Sequence, residues 1–187
     1  MFKFSLDKAI QAIGVIFREE DSTVLEYLRI IKLLYIAERE SISEIGRTII
    51  GDRIVAMDDG PVMSHVYDLM KGSAVPGEAE KWSRFIKRTG RYALTMHDSP
   101  GIGQLSKYEI QKLQDVTRRY LGVNQWKIVD DVHQFKEWKD FYVPHTSSHI
   151  PVKSIFEAVG KSDKFAGAVR AVNEDELFDR FFQGTGK

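Results

Sequence analysis

The chain has no cysteine. That absence removes disulfides, thiolate nucleophiles and cysteine-ligated zinc or iron–sulfur centres together. It also lacks any run of about 18 apolar residues, so no membrane-spanning helix is expected. Residues 1–20 show no basic start, continuous apolar stretch or small-residue cleavage site, and so no signal peptide is expected. Charge of one sign is missing too: 27 Lys and Arg balance 27 Asp and Glu, which leaves no overall field steering the chain toward a polyanion such as DNA. Internal repeats and low-complexity tracts are absent. These gaps point to a cytoplasmic protein that holds no cofactor.

What is present belongs to a packed globular chain. A hydrophobic share of 43% over 187 residues suffices for one domain with a real core. Leu6, Ile10, Ile13 and Phe17 form one apolar stripe on a helix from about Ser5 to Glu20. Thr23 and Glu26 have capping-box spacing, which opens a second helix near Leu25. Its stretch "YLRIIKLLYIA", Tyr27 to Ala37, is apolar on nearly every side and is interrupted only by Arg29 and Lys32, as in a central helix. Ser41 and Glu44 repeat the capping spacing, with Gly46 closing a short extra turn. "TIIGDRIVAM" reads as a hairpin turned at Gly51-Asp52. Asp58-Asp59-Gly60-Pro61 then stops the strand, and Pro61 sits in the first turn of a helix that shows Val62, Val66 and Leu69 on one face up to Gly72.

Residues from Ser73 to Glu80 read as a surface loop, and "RYALTMH", Arg91 to His97, as a strand that is a candidate third member for the hairpin. Ser106 and Glu109 form a third capping box, opening a helix with Ile110, Leu113, Thr117 and Tyr120 on one side, ended by Gly122. Asn124 starts another, burying Ile128, Val132 and Phe135 and ending near Trp138. After the loop "YVPHTSSHIP" comes a C-terminal helical extension over 150–183, with a short helix through Phe156 and Val159 and a last one ending in Leu177-Phe178 and Phe181-Phe182. The expected fold class is mainly α (α+β): a single-domain helical bundle over 1–187 with a small antiparallel β-hairpin or three-stranded sheet.

Candidate chemistry is sparse. His145 and His149 have the spacing of helical zinc ligands, but "HTSSHIP" is loop-like and lacks a metalloprotease glutamate, so two exposed histidines and no metal are expected. His133, beside Val129 and Val132, reads as a core-edge histidine with hydrogen-bonded ring nitrogens. His65 and Asp68 share a helix face, yet Ser64 points about 100° away from its neighbour His65, so no nucleophile–base pair forms. Asp58 and Asp59 read as acids favouring the positive end of the following helix. "GIG" at Gly101 lacks the rest of a dinucleotide loop. The chain is therefore not expected to be an enzyme. The basic clusters "KRTGR" and "TRRY" lie among comparable acidic density, so nucleic acid is not an expected partner. Helices with a hairpin leave a winged-helix DNA-binding regulator as the alternative.

One block is more specific. "KLLYIAERE", Lys32 to Glu40, followed by "GRTIIGDRIVAMDDGPVMSHVYDLMKG", Gly46 to Gly72, and a later "VHQFKEW" reaching Trp138, resembles the SocA-like antitoxins built on the Panacea domain. The resemblance covers about 27–138. Its elements are Lys-Leu-Leu-Tyr, then Gly51-Asp52 with Ala56, then Gly60-Pro61-Val62 and Tyr67, with His133 and Trp138 in the second half. Two positions depart from the pattern: Asp59 stands where an aromatic or His is frequent, and Val132 where a Thr is frequent. The resemblance implies an antitoxin of a bacterial or phage toxin–antitoxin system, prophage-borne systems included, that neutralises a cognate protein toxin by direct binding. Some relatives of this kind act as adaptors that deliver the toxin to a cellular protease. Gly51, Asp52, Gly60 and Pro61 are expected to fix backbone geometry. Arg53, Met57, His65 and Asp68, around the expected hairpin and its flanking helices, are candidate toxin contacts, since such interfaces favour Arg, Met and aromatics at their centres.

Overall fold

A computed structural model describes residues 3–183, and the side chains of 3–173. Helix α1, Leu6–Glu19, starts where the Ser5 side chain accepts the Lys8 N–H, and buries Ile10, Ile13, Ile16 and Phe17. The expected cap at Thr23 and Glu26 does not form. Val24–Glu26 is instead a short strand, β1, because Val24, Leu25 and Glu26 pair with Thr95, Leu94 and Ala93. Helix α2, Tyr27–Ile45, then starts without any side-chain cap. It is one continuous helix: the Ser41 hydroxyl donates to Arg47 O rather than capping an extra turn, and Gly46, at φ +69, ends it. Residues 30–38 are buried without interruption, so α2 is surrounded on all sides as its sequence requires.

The hairpin exists, but its phase differs from the expected one. Its strands are β2, Ile54–Met57, and β3, Gly60–Met63, and the turn is Asp58-Asp59 rather than Gly51-Asp52. Neither aspartate has positive φ; Gly60 takes it, at +102, restoring the strand twist after the turn. Gly60 and Pro61 thus belong to a strand, and Val62 with them. The Ser64 N–H donates to Arg53 O, which sets the register so that Pro61, opposite Ala56, falls on a pair without ladder bonds. Its missing N–H costs nothing there, and its carbonyl points away from β2. Helix α3, Ser64–Lys71, follows, ended by Gly72 at φ +78.

The stretch expected as a loop contains helix α4, Pro76–Ser83, with Pro76 in its first turn. Strands β4, Ile86–Thr89, and β5, Ala93–Met96, form a second hairpin. β5 does not extend the first one; it lies in its own sheet, in the order β1-β5-β4. Helix α5, Lys107–Arg119, carries the expected Ser106–Glu109 capping box. The single helix expected after Asn124 is two, α6, Gln125–Val132, and α7, Lys136–Phe141, with a break at 133–135. Strand β6, Ser148–Ile150, lies inside the expected loop and completes the first sheet in the order β3-β2-β6. Helices α8, Val152–Ala158, and α9, Ser162–Gln183, follow; the side chains of Leu177-Phe178 and Phe181-Phe182 lie outside the described ones.

Two apolar clusters flank α2. The larger joins α1, α5 and α6 through residues such as Ile13, Leu34, Val116 and Ile128; the smaller gathers Tyr35, Ile42, Trp138, Ile150 and Phe156. Strand β2 divides its side chains by two-residue alternation, Val55 into the first and Ile54 and Ala56 into the second, so both of its faces are buried. Among the described residues no helix is long and apolar enough to cross a membrane.

Candidate functional site

The family-like segment folds around buried polar groups supplied by α2. Glu38 is 1% exposed, and its carboxylate accepts the N–H groups of Ile49 (2.8 Å), Ile50 (3.1 Å) and Gly51 (3.2 Å). Burial pushes its pKa up to about 7 against the pull of those three bonds. Gly51 turns here at φ +73, where a Cβ would meet Lys3 O at 2.5 Å. Next to it, the Asp52 carboxylate accepts from His65 N (3.1 Å) and Val66 N (3.0 Å). These are the second and third N–H groups of α3, so Asp52 caps that helix from 13 residues upstream. Burial raises the Asp52 carboxyl, and the two backbone bonds oppose the rise.

A second hub clamps the hairpin turn. Lys32, fully buried, donates from Nζ to Pro61 O at 2.9 Å. Burial lowers its pKa to about 7, with the nearby Asp59 charge pulling the other way. Gly60 packs against the same place: a Cβ there would lie 2.7 Å from Val132 Cγ2 and 3.4 Å from both His133 Cδ2 and Lys32 Nζ. The His133 ring stacks on Trp138 at 4.1 Å and makes a backbone hydrogen bond to Asp58, while its buried Nε2, expected to be hydrogen-bonded, has no partner among the described residues. Burial, then the Lys32 charge, lowers the His133 pKa. Trp138 Nε1 donates to Met57 O at 3.0 Å. Lys32, His133 and Trp138 together hold the backbone of Met57, Asp58 and Pro61. Behind them, the buried Glu137 accepts from Tyr35 OH (2.8 Å) and Arg39 Nε (2.6 Å).

Above Lys32 opens a cleft of about 890 Å³. The buried Ile31 and Val62 line it together with Tyr27, Met57, Tyr67 and Tyr92. Tyr27 packs 6.1 Å from both Tyr67 and Tyr92, between ring centres. The lining also includes Trp126, 54% exposed, and Tyr92 is 52% exposed. Asp58 accepts from His145 N (2.8 Å) and from Tyr142 OH (2.9 Å), and these bonds lower its carboxyl. Gln125 Nε2 donates to Glu26. Asp59, at the turn, makes no hydrogen bond among the described residues.

Of the four candidate contacts, only Met57 lines the cleft. Arg53 is exposed just before β2, Asp68 is exposed on α3, and His65 stacks on Phe4 at 4.6 Å, 3.9 Å from both Asp52 and Glu78. Ala56 is fully buried in the smaller cluster. His145 is tied to Asp58 through Nδ1 at 3.2 Å, while the exposed His149 sits on β6 opposite Val55. The cleft residue most easily missed is Trp126. Its signal is helical phase: it lies two residues, about 200°, from the buried Ile128, a tryptophan on the polar side of an amphipathic helix.

No curated protein and no solved structure shows a significant match to the chain. The family model for the SocA-like antitoxin, Panacea domain, matches residues 30–139, which takes in most of α2, the clamped hairpin, α3 through α6 and the Glu137–Trp138 pair. More than half of the sequence lies inside that match, and the chain belongs to the SocA-like antitoxin family with a Panacea domain.

Proposed function

We propose that this chain is an antitoxin that silences a toxin encoded beside it by binding it directly, and that its own side chains make and break no bonds. The observation that carries this is the preformed cleft with exposed aromatics at its mouth. Trp126 and Tyr92, each more than half exposed beside Met57, are the residue types that supply binding energy when a partner removes them from water. The titratable groups below are occupied with backbone: Glu38 with residues 49–51, Asp52 with α3, Lys32 with Pro61. Such groups brace a surface. The hairpin that the alternative reading would use as a DNA-reading wing is buried on both strands, which favours protein recognition over that alternative.

The test is co-expression. The adjacent reading frame is expressed in bacteria alone and together with this chain; growth arrest in the first case and relief in the second support the reading, and arrest in both contradicts it. Toxin abundance separates two modes. Relief at unchanged toxin level indicates masking, and relief with falling toxin that depends on a cellular protease indicates adaptor-driven delivery.

A further inference from the structure

The cleft also has a charge preference. Among its lining residues, Glu26, Asp58 and Asp59 face Lys32 and His145. Lys32 is fully buried at the floor and turned onto Pro61 O, and His145 is held by Asp58, so neither presents a free cation to the opening. Asp58 is committed to His145 and Tyr142, and Glu26 takes the Gln125 amide. Asp59 is different: it is exposed in the hairpin turn, makes no hydrogen bond among the described residues, acts on the buried Lys32 only through its charge, and lines a cleft whose other lining residues include the rings of Tyr27, Tyr67 and Trp126. A carboxylate with open lone pairs beside electron-rich ring faces is a receptor for an organic cation. Two tyrosines of the lining, Tyr67 and Tyr92, each pair with a cation of this chain itself. Lys71 Nζ lies 4.9 Å from the Tyr67 ring centre and the Arg91 guanidinium 5.0 Å from that of Tyr92, although neither cation lines the cleft.

We propose that the cleft receives a basic side chain of the toxin, lysine or arginine, with its charged end at Asp59 and its stem against Tyr27, Tyr67 and Trp126. The proposal rests on the antitoxin reading for the identity of the partner; the charge preference rests on the cleft alone. The apolar lining suits the methylene stem, and Asp59, whose charge already acts on the buried Lys32 but which accepts no hydrogen bond among the described residues, makes the affinity depend on charge.

Two measurements separate these layers. In the first, amide and indole spectra of the labelled chain are recorded with N-acetylarginine amide, with its neutral isostere N-acetylcitrulline amide, and with N-acetylglutamate. Arginine is expected to shift the Trp126 indole and Asp59–Gly60 amide signals, citrulline and glutamate to leave them in place, and Asp59→Asn to abolish the arginine response. In the second, Asp59→Asn is expected to weaken binding of the neighbouring toxin on the order of tenfold and to flatten its salt dependence. Glu157→Gln, an equal charge change on α8, should leave it unchanged. Equal responses to arginine and citrulline, a response to glutamate, or a toxin complex indifferent to Asp59→Asn would overturn the proposal while leaving the antitoxin reading intact. An arginine response lost in Asp59→Asn, in a chain that relieves no toxicity, would remove the toxin as partner and keep the cation site.

Discussion

Replacing Gly60 with alanine tests the clamp on the hairpin. At φ +102 a side chain is strained, which costs about 1–3 kcal/mol. The new Cβ would also lie 2.7 Å from Val132 Cγ2, on the buried face of α6, with Lys32 Nζ at 3.4 Å, so the hairpin must shift; such overpacking costs a further 1–3 kcal/mol or so. The sum, roughly 2–6 kcal/mol, is a large part of the 5–15 kcal/mol or so that holds a domain of ordinary size together. Urea unfolding followed by tryptophan fluorescence reads it, since Trp138 is bonded to Met57 at the same turn. A double-mutant cycle divides the two causes. Val132→Ala removes the steric conflict and leaves the backbone strain, so Gly60→Ala should cost about 1–2 kcal/mol less in the Val132→Ala background than in the wild type. A Gly60→Ala chain within about 0.5 kcal/mol of wild type, or one whose loss is the same with either residue at 132, would refute the reasoning.

Further outcomes follow from the buried polar groups. Asp52→Ala should cost about 1–2 kcal/mol and speed amide exchange at His65 and Val66, the two N–H groups it caps. Glu137→Ala leaves the fully buried Tyr35 hydroxyl and the partly buried Arg39 without their shared acceptor, and should lower stability by about 3 kcal/mol or more in a thermal melt. With Glu38 raised from 4.5 to about 7, the folded chain keeps a proton that the unfolded chain has released, so stability should fall as pH rises through that window, by up to about 1.4 kcal/mol per unit. Urea midpoints against pH should show this limb, and Glu38→Gln should flatten it. Lys32 acts with the opposite sign. Its pKa is lowered from 10.5 to about 7, so the unfolded chain holds the extra proton and stability should rise between those values, a limb that Lys32→Met removes.

Elements set by local chemistry were legible in the sequence: α1 from its stripe and Ser5, α2 from its all-round apolarity, α5 from the Ser106–Glu109 box. Elements set by distant partners were not. Val24–Glu26 carries a capping-box signal, and only pairing with residues 93–95 makes it a strand. Ser148–Ile150 looks like a turn-rich loop until Ile150 is placed opposite Ile54. The hairpin phase was ambiguous because Gly51-Asp52 and Asp58-Asp59-Gly60 both carry turn chemistry. Glu38 bears on the choice, since its carboxylate takes the N–H groups of residues 49–51 and keeps them out of a ladder, a contact no local pattern reveals. At the site, residue type suggested that Gly51, Asp52, Gly60 and Pro61 fix backbone geometry, but not how: the turn lies at Asp58-Asp59 rather than Gly51-Asp52, and Pro61 sits in a strand rather than a helix. The cleft could not be read that way, because α2, the hairpin turn, α6 and the loop before β6 each contribute a wall.

The most direct test of the central claim is calorimetric titration of the purified neighbouring toxin with this chain and with its Trp126→Ala variant. Saturable binding is expected, weakened on the order of 30-fold by the variant while its melting temperature is kept. Relief of toxicity with no measurable association, or an affinity indifferent to Trp126, would contradict the account.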